Sequence, residues 1–322
     1  MQVERTVGPP HSATPFPVYP DLVGDLLAPG DTRHATVAHV LATCASYCYA
    51  DLDTVATIMA RLGMDACRCV RIAQSVDAMY IYSTAFLVQS RCGRVAILCY
   101  RGTEPTNLGS WLGDADVGAE RLRVASTRDA SALEVHRGFY RNFRATHWQV
   151  LQELALASRH GPSDRDATLE RPLEALYVTG HSLGGAMAVL FALTTAHEQL
   201  RGVYTFGQPM VVSGPVPPRV EATIGRKIFR HVLVRDPVPA SPPAGWGAYA
   251  HVGREYRYLL DHWQPAEPTT QMANLRDIPR SVLALLTRGS RRRSARYAID
   301  SHPPHRYLDV LRPAGLVTEF GD

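Results

Sequence analysis

Short apolar runs alternate along this chain with longer segments of helical periodicity. Residues 81–89 and 95–100 are strand-like and are separated by a polar, glycine-containing turn, which predicts a β-hairpin. Further strand-like runs cover residues 173–179, 203–206 and 228–234. Because helix-sized segments lie between these strands, the pattern favours an α/β fold with a mainly parallel central sheet flanked by helices.

The helical segments are defined by apolar stripes and by end signals. Residues 31–50 and 54–62 predict two helices near the start of the chain. Residues 136–159 predict a long helix with one apolar stripe. Residues 186–200 predict an apolar helix that ends near Arg201.

The first thirty residues differ from the rest of the chain because they carry six prolines. Proline fixes φ and removes a backbone donor, so residues 1–30 are expected to form an extended or disordered arm. No internal repeat or linker divides the remainder. Residues 31–322 are therefore expected to fold as a single α/β domain.

Composition narrows the class of protein. The chain of 322 residues is 46% hydrophobic and 20% charged, with a net charge of +4, which is ordinary for a globular protein. No basic patch is interleaved with aromatic residues, which argues against nucleic-acid binding. No apolar run approaches the roughly 18–20 residues of a membrane span, and no secretory leader is visible. A cytoplasmic protein, or one peripheral to a membrane or lipid surface, is expected, with secretion left open.

All six cysteines lie in the first third of the chain. The spacing of Cys44 and Cys48, and that of Cys67 and Cys69, matches no common zinc pattern. The cysteines are therefore expected to be free thiols in the core, and a metal site is the alternative.

One short motif points to chemistry. Gly180, Ser182 and Gly184 form a Gly-x-Ser-x-Gly sequence, with a strand-like run before it and an apolar helix-like run after it. This is the context of a nucleophile elbow, in which the glycines allow a sharp turn and a close helix–strand crossing. The motif alone arises by chance in roughly one random chain in ten of this length, so Ser182 needs partners elsewhere.

The first partner sought is an acid. A serine becomes a nucleophile when a neutral histidine removes its proton and a carboxylate orients that histidine. Active groups of open α/β sheets lie just beyond the carboxyl ends of strands. Asp236 follows the strand-like run 228–234 and precedes Pro237, which stops the strand. Asp236 is therefore the candidate acid, against the alternative of a turn-forming aspartate, whereas Asp261 and Asp300 end no clear strand.

The base and the oxyanion donors are less sharply defined. His302 and His305 lie in a loop before a short apolar helix, and the pattern does not separate them. The backbone N–H of Leu183, directly after the serine, is one candidate oxyanion donor. Thr103, just after the strand-like run 95–100, offers the second, against the alternative of a plain strand-to-loop turn.

These motifs, taken in order, resemble the class 3 lipases, the fungal-lipase-like α/β-hydrolases. The resemblance covers about residues 80–310. The shared pieces are Tyr100-Arg-Gly-Thr103, Asn107 with Trp111-Leu-Gly-Asp114, Val135-His-Arg-Gly-Phe139, Gly180-His-Ser-Leu-Gly-Gly-Ala186, Thr205-Phe-Gly-Gln-Pro209, Val234-Arg-Asp-Pro-Val-Pro239, and His302 five residues before Tyr307.

The resemblance implies a catalytic triad together with two oxyanion donors. In this chain the implied triad is Ser182, His302 and Asp236, and the implied donors are Thr103 and Leu183. The resemblance favours His302 over His305 as the base and implies that no metal or cofactor is needed. His136 lies in a shared motif in which the histidine is usually structural.

Two segments, a lid and the link from the acid to the base, carry further expectations. The family's lid follows the oxyanion strand and corresponds here to residues 104–117. The link from the acid to the base is long, and residues 264–298 are interpreted as a cap insertion with an apolar helix over 274–288. That helix either lines the acyl pocket or packs on the core. The arginine run 291–293 is either a solvated loop or a contact for anionic lipid.

The reaction implied is hydrolysis of lipid carboxylic esters, such as triacylglycerols, through an acyl-enzyme. A phospholipase A1 or an acyltransferase with the same triad is the first alternative, and a non-catalytic lipase-like interaction protein is the second. A degenerate binding protein would have lost a triad member, and here all three are present. The expected partner is a small-molecule lipid ester, with peripheral contact to lipid interfaces.

Overall fold

The strands in the described part of the chain form two sheets. The computed structural model describes residues 1–10, 17–28, 30, 32–79, 81–103, 118–125, 132–159, 172–271 and 301–320. The strands are β1 (Gln2–Val7), β2 (Arg68–Val76), β3 (Ile81–Gln89), β4 (Val95–Tyr100), β5 (Ala119–Arg123), β6 (Ala132–His136), β7 (Ala175–His181), β8 (Leu200–Phe206), β9 (Val212–Ser213), β10 (Ile228–Leu233), β11 (Tyr249–Ala250), β12 (Arg254–Leu259) and β13 (His262–Ala266). The helices are α1 (Leu22–Leu27), α2 (Ala35–Tyr47), α3 (Leu52–Leu62), α4 (Arg137–Arg159), α5 (Leu183–Thr194), α6 (Pro218–Ala222) and α7 (Pro304–Leu311).

The larger sheet has a parallel centre and antiparallel edges. Among the described residues its nine strands pair in the order β1-β2-β3-β4-β7-β8-β10-β12-β13. Strands β4, β7, β8, β10 and β12 run parallel, whereas β1, β2 and β3 at one edge and β13 at the other are antiparallel to their neighbours. The predicted α/β fold with a mainly parallel central sheet is confirmed, as is the hairpin of β3 and β4. The carboxyl ends of the parallel strands therefore share one edge, where active groups are expected.

Helices cover both faces of this sheet, which gives three layers. Residues of α4 and α5, including Phe143 and Leu190, are buried in a core on one face. Residues of α1, α2, α3 and α7, including Leu41 and Tyr307, are buried in a second core on the other face. The smaller sheet, in the order β11-β9-β6-β5, contributes Leu133 and other residues to the first core. Every residue of β4 is buried, because both faces of a central parallel strand are covered.

The extended or disordered arm expected over residues 1–30 is instead, where described, an edge strand and a short helix. β1 pairs antiparallel with β2, from Gln2 opposite Ala73 to Val7 opposite Arg68. α1 buries Leu22 and Leu26 in the second core. The backbone hydrogen bonds of β1 and the burial of Leu22 and Leu26 offset the conformational entropy that is lost when these residues become ordered.

Other boundaries also differ from those predicted. The helix expected over 186–200 ends at Thr194, because Thr195 adopts an extended conformation with φ −122° and ψ 110°. His136 closes β6, and α4 begins one residue later. After Pro242, β12 and β13 continue the sheet, so the first residues of the segment interpreted as a cap belong to an edge strand.

Several expectations concern residues that are not described. The lid over 104–117, the helix over 274–288 and the arginine run 291–293 lie outside the described ranges. So does the remainder of the cap segment 264–298 beyond residue 271. Among the helices that are described, none has both the length and the apolar composition needed to cross a bilayer.

Candidate active site

Ser182 occupies a strained turn between β7 and α5. Its backbone has φ 57° and ψ −127°, and its N–H donates to the Phe206 carbonyl at 2.9 Å. A Cβ on Gly180 would overlap the Gly184 backbone, and one on Gly184 would overlap the Tyr100 carbonyl. The motif glycines are therefore required by the close crossing of α5 over β7 and β4, as expected for a nucleophile elbow.

Asp236 and His302 form a buried hydrogen-bonded pair. Asp236 lies in the turn that follows β10, and His302 lies just before α7. The His302 Nδ1 is 2.9 Å from the Asp236 Oδ2, and the two residues are 3% and 6% exposed. His305 is exposed on α7. The structure thus brings His302, and not His305, to the candidate acid.

Two further donors hold the Asp236 carboxylate. The Val238 N–H donates to Oδ1 at 2.9 Å, and the Tyr307 hydroxyl donates to Oδ2 at 2.6 Å. Burial, together with the negative charge of Asp236, raises the pKa of Tyr307 well above its ordinary value, so the hydroxyl keeps the proton that it donates. Tyr307 was part of the sequence motif but had no assigned role; its spacing from His302 was the signal that could have identified it.

Gly207, the residue directly after β8, packs against both Asp236 and His302. Its φ is +58°, and a Cβ there would lie 2.6 Å from Asp236 Oδ2 and 3.1 Å from His302 Nδ1. The backbone at this position lies so close to the carboxylate that only glycine fits there without displacing it. This glycine lies in the shared Thr-Phe-Gly-Gln-Pro segment, and sequence reasoning did not assign it to the site.

Ser182 lies beside the pair of His302 and Asp236. The His302 ring is 4.5 Å, centroid to centroid, from the ring of His181, the residue before Ser182. The Ser182 Oγ is buried and makes no hydrogen bond to any residue in the described ranges. Catalytic hydrogen bonds are often long before substrate binds and tighten in the substrate complex.

The end of β4 lies against the elbow on the opposite side. A Cβ on Gly102 would lie 3.3 Å from the Ser182 Cβ and 2.5 Å from the His181 carbonyl oxygen. Thr103 is therefore the next residue along a strand end that touches the serine. Leu183 begins α5, so its N–H is among the unpaired donors at a helix N-terminus, which favour a developing negative charge.

His181 is a site residue that sequence reasoning missed. It is buried, and burial lowers its pKa well below the ordinary value, with a further contribution from His302. Its Nε2 is 2.6 Å from the His302 carbonyl oxygen, and its Nδ1 is 3.2 Å from the Tyr49 hydroxyl. Its place inside the serine motif was the available signal.

The remaining sequence candidates lie away from this cluster or outside the description. Asp261 is exposed at the tip of the β12–β13 hairpin, and Asp300 is not described. His136 is buried and stacks on Phe139 at 4.0 Å between ring centroids. All six cysteines are free thiols, five of them buried. Across the described ranges no group of histidine, cysteine and acidic residues is arranged to hold a metal ion.

The order of the central strands, the tight turn at Ser182 after β7 and the position of Asp236 after β10 are those of an α/β-hydrolase fold. A crystal structure of fungal lipases shares this fold with a TM-score of 0.50 and 16% identity, over 73% of this chain and 84% of that one. The lipase (class 3) family matches residues 97–246, a little under half of the chain, which include most of β4, the elbow and Asp236. This match confirms the resemblance over that part of the chain.

Two known lipases are similar to this chain over about 200 residues each. A lipase of Rhizomucor miehei is 27% identical over 199 residues, which are 60% of this chain and 49% of the relative. The triacylglycerol lipase OBL1 of Ricinus communis is 26% identical over 200 residues, which are 52% of this chain and 38% of the relative. The chain thus spans about half, or less, of the length of these relatives.

Proposed function

We propose that this protein hydrolyses carboxylic esters of lipids, with Ser182 as nucleophile, His302 as base and Asp236 as orienting acid. The observation that supports this most directly is the buried pair of His302 and Asp236, 2.9 Å apart, beside a serine on a strained elbow. The match of residues 97–246 to the class 3 lipase family, and the names of the relatives, favour triacylglycerols or similar acyl esters as substrates.

The proton path follows from the hydrogen bonds. Because Asp236 accepts from Nδ1, the other ring nitrogen of His302, Nε2, is the one that takes up the serine proton. Ser182 Oγ attacks the ester carbonyl carbon while its proton passes to this nitrogen. When the tetrahedral intermediate collapses, the protonated histidine returns the proton to the leaving alcohol, and an acyl-enzyme remains.

The second half of the reaction uses the same groups. His302 removes a proton from water, which attacks the acyl-enzyme, and the proton then returns to Ser182 as the carboxylic acid leaves. In both steps the oxyanion accepts hydrogen bonds from the Leu183 and Thr103 N–H groups, which are fixed before the charge develops.

Initial rates over p-nitrophenyl esters from C2 to C16, a triacylglycerol emulsion and a phospholipid test the proposal. Ser182→Ala should lose about four to six orders of magnitude in turnover, because the covalent step has no other nucleophile. Ser158→Ala, which removes a hydroxyl that donates to Leu154 O on α4, is the matched control and should match the native rate. Near-native rates in Ser182→Ala would refute the mechanism, and a preference for phospholipid would replace the proposed substrate class.

A further inference from the structure

Three separate pieces of chain must be held together for the proposed site to work. They are the end of β4 with Thr103, the elbow with Ser182, and the loop before α7 with His302. No backbone strand pairing in the described ranges joins the loop before α7 to the elbow. The side chains of Tyr49 and His181 lie where these three pieces meet.

The Tyr49 hydroxyl connects the first piece to the second. It lies 3.2 Å from His181 Nδ1 and packs against the backbone at Gly102. A Cβ on Gly102 would lie 2.5 Å from this oxygen, so the contact depends on glycine at that position. The guanidinium of Arg101 lies over the Tyr49 ring at 5.7 Å from its centroid.

His181 connects the second piece to the third. Its Nε2 is 2.6 Å from the His302 carbonyl oxygen, which can only accept a hydrogen bond, so Nε2 carries the ring proton. Nδ1 then accepts from the Tyr49 hydroxyl. Burial favours the neutral forms, because it lowers the pKa of His181 and raises that of Tyr49 well beyond their ordinary values. One tautomer and one donor direction are therefore fixed.

We propose that Tyr49 and His181 are positioning residues that set the separation between the oxyanion donors, the nucleophile and the base. The Tyr49 hydroxyl, the His181 ring and the His302 carbonyl form one continuous series of hydrogen bonds, and the Tyr49 hydroxyl packs against Gly102 at the end of β4. This positioning role rests on the proposed function, because it requires that Ser182 and His302 carry out the reaction. Tyr49 and His181 act through their neighbours.

Loss of these hydrogen bonds should lower turnover and leave substrate affinity almost unchanged. A small displacement of a base or an oxyanion donor can cost up to about a hundredfold in rate. Tyr49→Phe keeps the ring and removes only the hydroxyl. On a soluble p-nitrophenyl ester we expect it to lower kcat about tenfold and to change KM by less than about twofold.

Tyr47→Phe is the matched control. Tyr47 ends α2, two residues before Tyr49, and its hydroxyl donates to Glu319 at 2.5 Å. Both substitutions remove one partly buried hydroxyl and one hydrogen bond, so they should lower stability similarly. Only Tyr49→Phe should lower kcat. Equal kcat in native protein, Tyr47→Phe and Tyr49→Phe would overturn the proposal, as would an equal loss of kcat in both variants.

A double-mutant cycle tests whether Tyr49 acts through His181. His181→Gln can keep a donor near the His302 carbonyl but lacks the Nδ1 acceptor for Tyr49. The combined variant should lose at least about fivefold less than the product of the two single losses, because both changes break the same link. Fully multiplicative losses would contradict the link.

Ser182→Ala, assayed alongside, separates the two levels of the argument. If Ser182→Ala is inactive and Tyr49→Phe retains native kcat, the positioning role is wrong and the proposed function stands. If Ser182→Ala retains activity, the proposed function itself is wrong. A melting temperature for each variant shows that the folded protein was assayed.

Discussion

A single glycine, Gly207, shows how closely the backbone determines the chemistry of this site. It has φ +58°, and a Cβ would lie 2.6 Å from the carboxylate of Asp236 and 3.1 Å from His302. Asp236 and His302 are therefore both held by the backbone at Gly207, and the Asp236 carboxylate is also held by the Tyr307 hydroxyl and the Val238 N–H. A carboxylate with this many fixed donors has little freedom to rotate, which keeps the histidine in one orientation.

Gly207→Ala should reduce kcat/KM by at least about a hundredfold, because the new methyl group must displace the aspartate or the histidine. Gly214→Ala is the control, since Gly214 also has a positive φ, +89°, and no atom lies within 4 Å of its Cβ position. Both changes should cost about 1 kcal/mol or more in unfolding free energy, but only the first should affect the rate. Esterase kinetics and urea unfolding of both variants provide the comparison, and equal activity losses would contradict the account.

In the β12–β13 hairpin, the residue types in the turn are poorly suited to the backbone conformation that the turn adopts. Leu259 pairs with His262, so the loop has two residues, and both Leu260 and Asp261 have positive φ, 50° and 62°. Two-residue turns of this kind favour asparagine or glycine, because a left-handed conformation is costly for most side chains. Leu260 is 89% exposed, so packing does not compensate for the strain.

Leu260→Asn should raise the unfolding free energy by about 0.5–1 kcal/mol, since asparagine tolerates the left-handed region. Urea denaturation at neutral pH measures this change. Leu259→Asn, at the adjacent strand position, should give no gain and serves as the control. A lower stability for Leu260→Asn would show that the leucine makes a stabilising contact.

The elbow and the acid were predictable because their signals are local. A serine between two glycines, and an aspartate followed by proline after an apolar strand, are visible in a few adjacent residues. The choice of His302 over His305 came from the family resemblance and not from the pattern. The structure explains it, because Pro303 caps α7 and leaves His302 in the loop and His305 on the exposed helix surface.

The sequence pattern did not predict β12 and β13, because their formation depends on pairing with other strands and not on local periodicity. Strand β12 carries Glu255, a residue that periodicity reads as exposed, yet it is 2% exposed. It lies directly opposite Arg230 on β10, with 3.0 Å between Arg230 Nη1 and Glu255 Oε2. Buried charges are tolerated when they are paired, and no single-strand pattern reveals the pair. The contact between Tyr49 and His181 could not be predicted either, because the two residues lie far apart in the sequence.

The molecule as a whole buries several neutral histidines. His39, His181, His231 and His251 are each less than a tenth exposed, and burial lowers the pKa of all four. For His39 burial lowers the pKa to about 4, against the contrary effect of Glu319. In the unfolded chain a histidine has a pKa near 6.5, so below that pH the unfolded state binds protons that the native state does not. Stability must therefore fall with acidification from about pH 6.5 toward pH 4.

His39 alone should cost the protein roughly 2 kcal/mol of unfolding free energy between pH 7 and pH 5. Urea unfolding at pH 7, 6 and 5 measures the slope. His39→Asn retains a hydrogen-bonding partner for the Tyr19 hydroxyl, which lies 2.9 Å from His39 Nδ1, and should flatten the slope by a similar amount. A native protein equally stable at pH 7 and pH 5 would contradict the burial of neutral histidines.

The account depends on Ser182 being a nucleophile that His302 activates. The most direct measurement is labelling with a p-nitrophenyl alkylphosphonate, followed by mass spectrometry of the digested protein. We expect one phosphonyl group, on the peptide that contains Ser182, with loss of ester hydrolysis in proportion to labelling. In His302→Ala the labelling rate should fall by several orders of magnitude, because the serine keeps its proton. A label on another residue, or equally fast labelling in His302→Ala, would contradict the account.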